Sequence, residues 1–201
     1  MAYGFADVEA ALAQMHHIPD ERRSAFSNRM KHFQRMGFPP GVNTGRGRAA
    51  TYYAEHAFLL GVMFQLAELS VTPERAVRLI DLSFEGLAGG ALAVINKGEP
   101  ILCEVPTAAL DDLVHGDQAN DQLGIKPIDA EYASIRLKLM LDTNGPIRWS
   151  MFSLSGLIYR LSDIIGAGRR PHGFFDFKTR LADWAEGVGS EGKVWRGRDF
   201  G

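Results

Sequence analysis

The chain has 201 residues, 46% of them hydrophobic, with 22 Lys/Arg against 24 Asp/Glu and a formal net charge of −2. That length and apolar content suffice for a buried core in one domain or two small ones, and the near-balance of charge excludes coating of nucleic acid or membranes by bulk charge. The single cysteine, Cys103, excludes an internal disulfide framework and a cysteine-rich zinc site, so a reducing cytoplasm is the expected compartment.

The N-terminal MAYGFADVEAALAQ has no basic region ahead of an apolar core and does not read as a signal peptide. Val8, Ala11, Leu12 and Met15 recur at helical spacing behind Asp7 and predict a first helix over 7–17. Pro19 breaks that pattern and Asp20 can cap a second helix over 20–36, ended by Gly37. Pro39, Pro40, Gly41, Gly45 and Gly47 then predict turns and a short hairpin. An apolar helix follows from Tyr53 to Leu69; its run AFLLGVMFQLAEL is short of the ~20 residues a bilayer needs and is expected to be buried, with no membrane contact. Thr72-Pro73-Glu74 is a strong helix start, and the fourth helix is expected to hold Ala76, Val77, Ile80, Phe84 and Leu87 inward and to stop at Gly89-Gly90.

Beyond that glycine pair the texture changes. ALAVINKGEPILCEV predicts two strands about a turn over 96–100, and 107–120 a short helix grading into a polar loop. SIRLKLMLD alternates Ile135, Leu137, Leu139 and Leu141 with Arg136 and Lys138 and is a further strand candidate, while 151–165 is expected to be helical. Residues 167–201 are rich in glycine and charge and predict a partly disordered tail, with a short helix over 177–186. The expected fold class is mainly α with an α+β second half.

From Arg22 to Ala54 there are seven Lys/Arg and no Asp or Glu. On a wheel of ~100° per residue, Met30 and Phe33 fall within about 40° of Phe26 and form an apolar stripe. Ser24, Asn28, Lys31 and Arg35 gather on the far side with His32 nearby, a cationic, donor-rich face of the types that contact phosphates and base edges in the major groove. Arg46 and Arg48 sit at the expected hairpin tip, within reach of a backbone or minor groove. The same glycines do not make a phosphate-cradling P-loop, which requires Gly-Lys-Ser/Thr between a strand and a helix.

Chemistry is less legible. The six histidines, at 16, 17, 32, 56, 115 and 172, lack metal-ligand spacing, and His56 is expected to be structural. His115, Asp117 and Asp121 read as a solvated loop, Cys103 as core, and Ser153-Leu154-Ser155-Gly156 lacks the context of a nucleophile elbow. No enzyme, metal or cofactor is expected.

Met30-Lys31-His32-Phe33-Gln34-Arg35-Met36-Gly37-Phe38 resembles the recognition-helix motif L-R-Y-Y-E-R-x-G-L of MerR-type winged helix-turn-helix proteins. Tyr53-Ala54-Glu55-His56-Ala57-Phe58 is similar to their Y-S-E-E-D-L after the wing, and Leu69–Ala76 to the G-F-S-L-E-E-I that opens their fourth helix. The resemblance covers residues 7–88 and implies an N-terminal winged helix-turn-helix, four helices with a β-hairpin wing, over 1–90. It implies helix contacts by Lys31, His32 and Arg35, and wing contacts by Arg46, Arg48 and Tyr53. The family's wing pattern G-Y-R-R-Y is here Ala49-Ala50-Thr51-Tyr52-Tyr53, and its long dimerisation helix is replaced by Gly89-Gly90 and strands. Residues 91–166 are then expected to form a mixed α/β module that dimerises or takes a small-molecule or protein effector. The expected function is a sequence-specific regulator of transcription on double-stranded DNA. The alternatives are an excisionase-like architectural factor of a mobile element, or a protein-interaction adaptor on the same scaffold.

Overall fold

The computed structural model describes residues 2–42, 49–106, 124–140, 150–167 and 173–191. It is mainly helical with one small three-stranded antiparallel sheet. The described residues form two compact units, one from 1–62 and 157–184, the other from 63–156 and 185–195.

In the first unit, α1 (Phe5–Met15) buries Val8, Leu12 and Met15, the predicted stripe. The Asp7 carboxylate accepts the Gly4 N–H at 2.9 Å, satisfying a donor ahead of the helix. A 3₁₀ turn, Asp20–Arg22, leads into α2 (Arg23–Arg35), which buries Phe26, Met30 and Phe33. Arg23 bridges to Glu9 at 2.6 Å and ties the two helices. Helix α2 ends where Gly37 takes a left-handed φ of 77°, so that the Phe38 N–H turns back to the Phe33 carbonyl and the Gly37 N–H to that of Gln34. Tyr3 and Tyr52 form an antiparallel bridge with N–H to O distances of 2.8 and 2.9 Å.

Helix α3 (Ala54–Glu68) follows, and Ala57, Phe58, Leu59, Leu60 and Val62 are all buried, the signature of a helix enclosed on every side. A Cβ on its Gly61 would lie 2.7 Å from Leu157 Cδ1, so only glycine lets that leucine approach. Leu157 belongs to α7 (Leu154–Ala167), and Phe58 also meets Trp184 of α8 (Gly173–Glu191), ring centroids 6.0 Å apart. Helix α8 corrects the short helix expected over 177–186: it has 19 residues, with Phe177, Leu181, Ala185 and Val188 buried at helical spacing. That four-residue stripe outweighs its glycines.

In the second unit, α4 (Pro73–Leu82) starts as predicted, with Thr72 at the cap and Pro73 at the first helical position. The single helix expected to reach residue 88 is instead broken at Ser83, where α5 (Phe84–Leu92) departs at 67°. The Ser83 hydroxyl donates to the Leu79 carbonyl at 2.6 Å and accepts the Ile125 N–H at 2.6 Å, inserting a side chain at the break. Helix α5 then runs through Gly89-Gly90 and into a π turn, Ala93–Lys97, ended by Gly98 with φ 69°. The first strand expected in ALAVINK is therefore helix: Val94 is fully buried, and packing overrides its strand propensity.

Strand β1 (Ile101–Val105) lies between β2 (Lys126–Asp129) and β3 (Ser150–Ser153), Ile101 facing Asp129 and Cys103 facing Phe152. SIRLKLMLD is not a strand but falls largely in α6 (Ala130–Met140), and the helix expected over 151–165 begins only at Leu154, after β3. Ser153 sets that start by accepting the Gly156 N–H at 2.9 Å. The helix expected over 107–120 lies outside the described residues. Among the described residues, no single helix is long and apolar enough to cross a membrane.

Candidate nucleic-acid interface

Helix α2 separates its residues by periodicity. With Phe26, Met30 and Phe33 locked inward, Ser24, Asn28, Lys31 and Arg35 are exposed, and His32 is half-buried. The first four are spaced i, i+4, i+7 and i+11, which aligns them within about 60° on one side. Asn28, Lys31, Gln34 and Arg35 line one open depression. Arg35 Nε donates to the Lys31 carbonyl at 3.4 Å, and Lys31 Nζ stands 5.9 Å from the centre of the Phe5 ring. No carboxylate occurs in α2, and Glu9, across from it on α1, is held by Arg23.

Gln34 also belongs to this site, although it is not among the residues expected there. Its Nε2 donates to the Tyr52 hydroxyl, which fixes an amide at the rim of the depression. Tyr52 is fully buried, and burial pushes its phenol up to about 12, so it stays a neutral hydrogen-bond partner. The signal available was position: Gln34 lies three residues after Lys31 and neighbours it on the helix surface.

Tyr53 caps α3. Its carbonyl accepts the Ala57 N–H at 3.2 Å, and its own N–H donates to Nδ1 of His56 at 3.0 Å, so His56 fills the place that a glutamate occupies in a capping box. The Tyr53 ring lies 5.6 Å from the imidazole and is 44% exposed, free to touch a ligand from one side. His56 also hydrogen-bonds the Pro40 backbone, and burial drives its pKa down to about 4. It is a neutral brace between the loop after α2 and the start of α3. Arg46 and Arg48 lie outside the described residues, as do His115, Asp117 and Asp121.

Among the described residues, Ser155 is occupied and Cys103 is enclosed. The Ser155 hydroxyl accepts the Ile101 N–H at 2.8 Å and donates to the Glu99 carbonyl at 3.2 Å. Cys103 is fully buried, which pushes its thiol far above the usual range. Among the described residues there is no group of three or more His, Cys, Asp or Glu able to hold a metal ion.

Compared with protein-family models, with curated proteins and with solved structures, the chain matches none.

Proposed function

We propose that this chain is a cytoplasmic, sequence-specific DNA-binding regulator of transcription that acts as a homodimer, with α2 entering the major groove. The observation that carries the reading is the outer face of α2, where Ser24, Asn28, Lys31 and Arg35 align, exposed, on a helix without a carboxylate. Lysine and arginine on such a face meet phosphates and guanine edges, and asparagine and glutamine suit adenine. His32 borders the same face. The bridge between Tyr3 and Tyr52 supports a winged arrangement, because Tyr52 lies four residues after Arg48 in the expected wing. These two arginines, with Tyr53, would grip the flanking backbone, as the MerR resemblance implies.

The test is selection from a pool of genomic fragments at moderate and high salt. Phosphate contacts set the salt dependence and base contacts the motif, so an enriched motif is expected at both salts. Salt-sensitive binding without a motif would favour the architectural factor, and no binding at low salt the adaptor. Lys31→Ala with Arg35→Ala is expected to weaken specific binding by about 1–3 kcal/mol for each base that is no longer read; wild-type affinity in that double variant would refute the face.

A further inference from the structure

Helix α6 turns little inward: Ala133 is its one buried residue. Tyr132, Ile135, Leu137 and Leu139 are 47%, 47%, 52% and 51% exposed and make up most of the large exposed apolar side chains among the described residues. Single exposed apolar residues are ordinary. Tyr132, Ile135 and Leu139, however, stand at i, i+3 and i+7, within about 60° on one side of the helix, which is the spacing of a helix-pairing seam.

The helix beneath this seam is well anchored. Asp129 accepts the Tyr132 N–H at 2.7 Å and caps it, and Arg136, on one flank, is paired with the buried Glu104 of β1. On the other flank stand Glu131 and Lys138, both exposed and seven residues apart, about 10 Å along the axis and too far to pair with each other.

That flank identifies the partner. Across a two-fold axis near Ile135, an antiparallel second α6 sets Tyr132 against Leu139 of the other copy and Ile135 against its own equivalent. Glu131 of each copy then faces Lys138 of the other. A parallel pair would instead direct Glu131 to Arg136, which Glu104 already holds. We propose that α6 is a self-association surface on which two copies of this chain pair antiparallel through Tyr132, Ile135 and Leu139.

The proposal gives the dimer of the nucleic-acid reading a location, but it is tested without DNA, so the two can fail separately. The full chain is weighed by light scattering and by sedimentation with fluorescence detection from about 1 nM to 100 µM, so that dissociation constants from nanomolar to micromolar are read directly. A dimer is expected. Ile135→Glu should weaken it at least tenfold while circular dichroism keeps its helical signal, since the position is exposed. Glu131→Lys alone and Lys138→Glu alone should each weaken it severalfold, and the two together should restore it. A monomer at 100 µM, or a dimer indifferent to Ile135→Glu, would overturn the surface; a double reversal no tighter than the single ones would overturn the antiparallel pairing.

Discussion

At the scale of single residues, Pro40 and the start of α3 are held by a side chain whose chemistry is fixed by burial. It is His56, whose neutral ring accepts from Tyr53 while bonding the Pro40 backbone, and whose pKa is lowered to about 4. In the unfolded chain the same group titrates near its ordinary 6.5. Between those values the unfolded state binds a proton that the folded state refuses. The His56 contribution is therefore fully present above pH ~6.5 and is lost as pH falls toward ~4, by roughly 3 kcal/mol in all. Urea unfolding across that window should give a falling midpoint, and His56→Gln should flatten the fall; an unchanged slope would place the acid sensitivity elsewhere. Gln34 and Tyr52 allow a second check. Tyr52→Phe removes the phenol that holds Gln34, with an expected stability loss of about 1 kcal/mol. If Gln34 reads a base, Tyr52→Phe and Gln34→Ala should both relax the selected motif at one position and leave the salt dependence of binding alone.

At the scale of elements, what the sequence disclosed depended on whether a local signal was also the tertiary one. Helices α1, α2 and α3 are legible from their apolar stripes, and α4 from its Thr72-Pro73 start; the expected caps Asp7 and Asp20 fall instead inside α1 and in the 3₁₀ turn, with Gly4 and Arg22 at the caps. The outer face of α2 was legible for the same reason, as the complement of Phe26, Met30 and Phe33. The alternation of Ile135, Leu137 and Leu139 in α6 reads as a strand, yet a helix places Ile135 and Leu139 on one side and Leu137 on another; the Asp129 cap is the signal that marks it as a helix. Gly89-Gly90 misled in a different way. A glycine pair reads as a stop, yet a Cβ at Gly90 would lie 2.8 Å from Leu154 Cδ2 and 3.0 Å from Cβ of Pro127, so this glycine serves close packing that no local pattern reveals. Gly89 has nothing within 4 Å of the same position. Gly89→Ala should accordingly stabilise the protein by up to ~1 kcal/mol through helix propensity, whereas Gly90→Ala should destabilise it by roughly 1–3 kcal/mol through overpacking against a rigid proline ring. Thermal melts of the two variants decide this, and equal effects would refute the packing account.

At the scale of the whole molecule, chain order and compactness do not coincide. The unit that carries α2 also contains residues 157–184, and its buried set includes Leu157, Leu161, Phe177 and Leu181 beside Phe26, Phe33 and Phe58. A winged helix-turn-helix confined to 1–90 would lack those four, each worth roughly 1.5–3 kcal/mol of burial. It would also leave Phe58 without Trp184 and α3 open where Leu157 closes on Gly61. Net stabilities of domains are only about 5–15 kcal/mol, so such a loss is decisive. A fragment of residues 1–90 is therefore expected to aggregate or to unfold without a cooperative transition, while the 201-residue chain melts cooperatively. Heteronuclear amide spectra of the two would settle it: dispersed, sharp resonances from the fragment would mean that α7 and α8 are accessory to the α2 scaffold, and collapsed resonances that the cationic face depends on chain more than a hundred residues away.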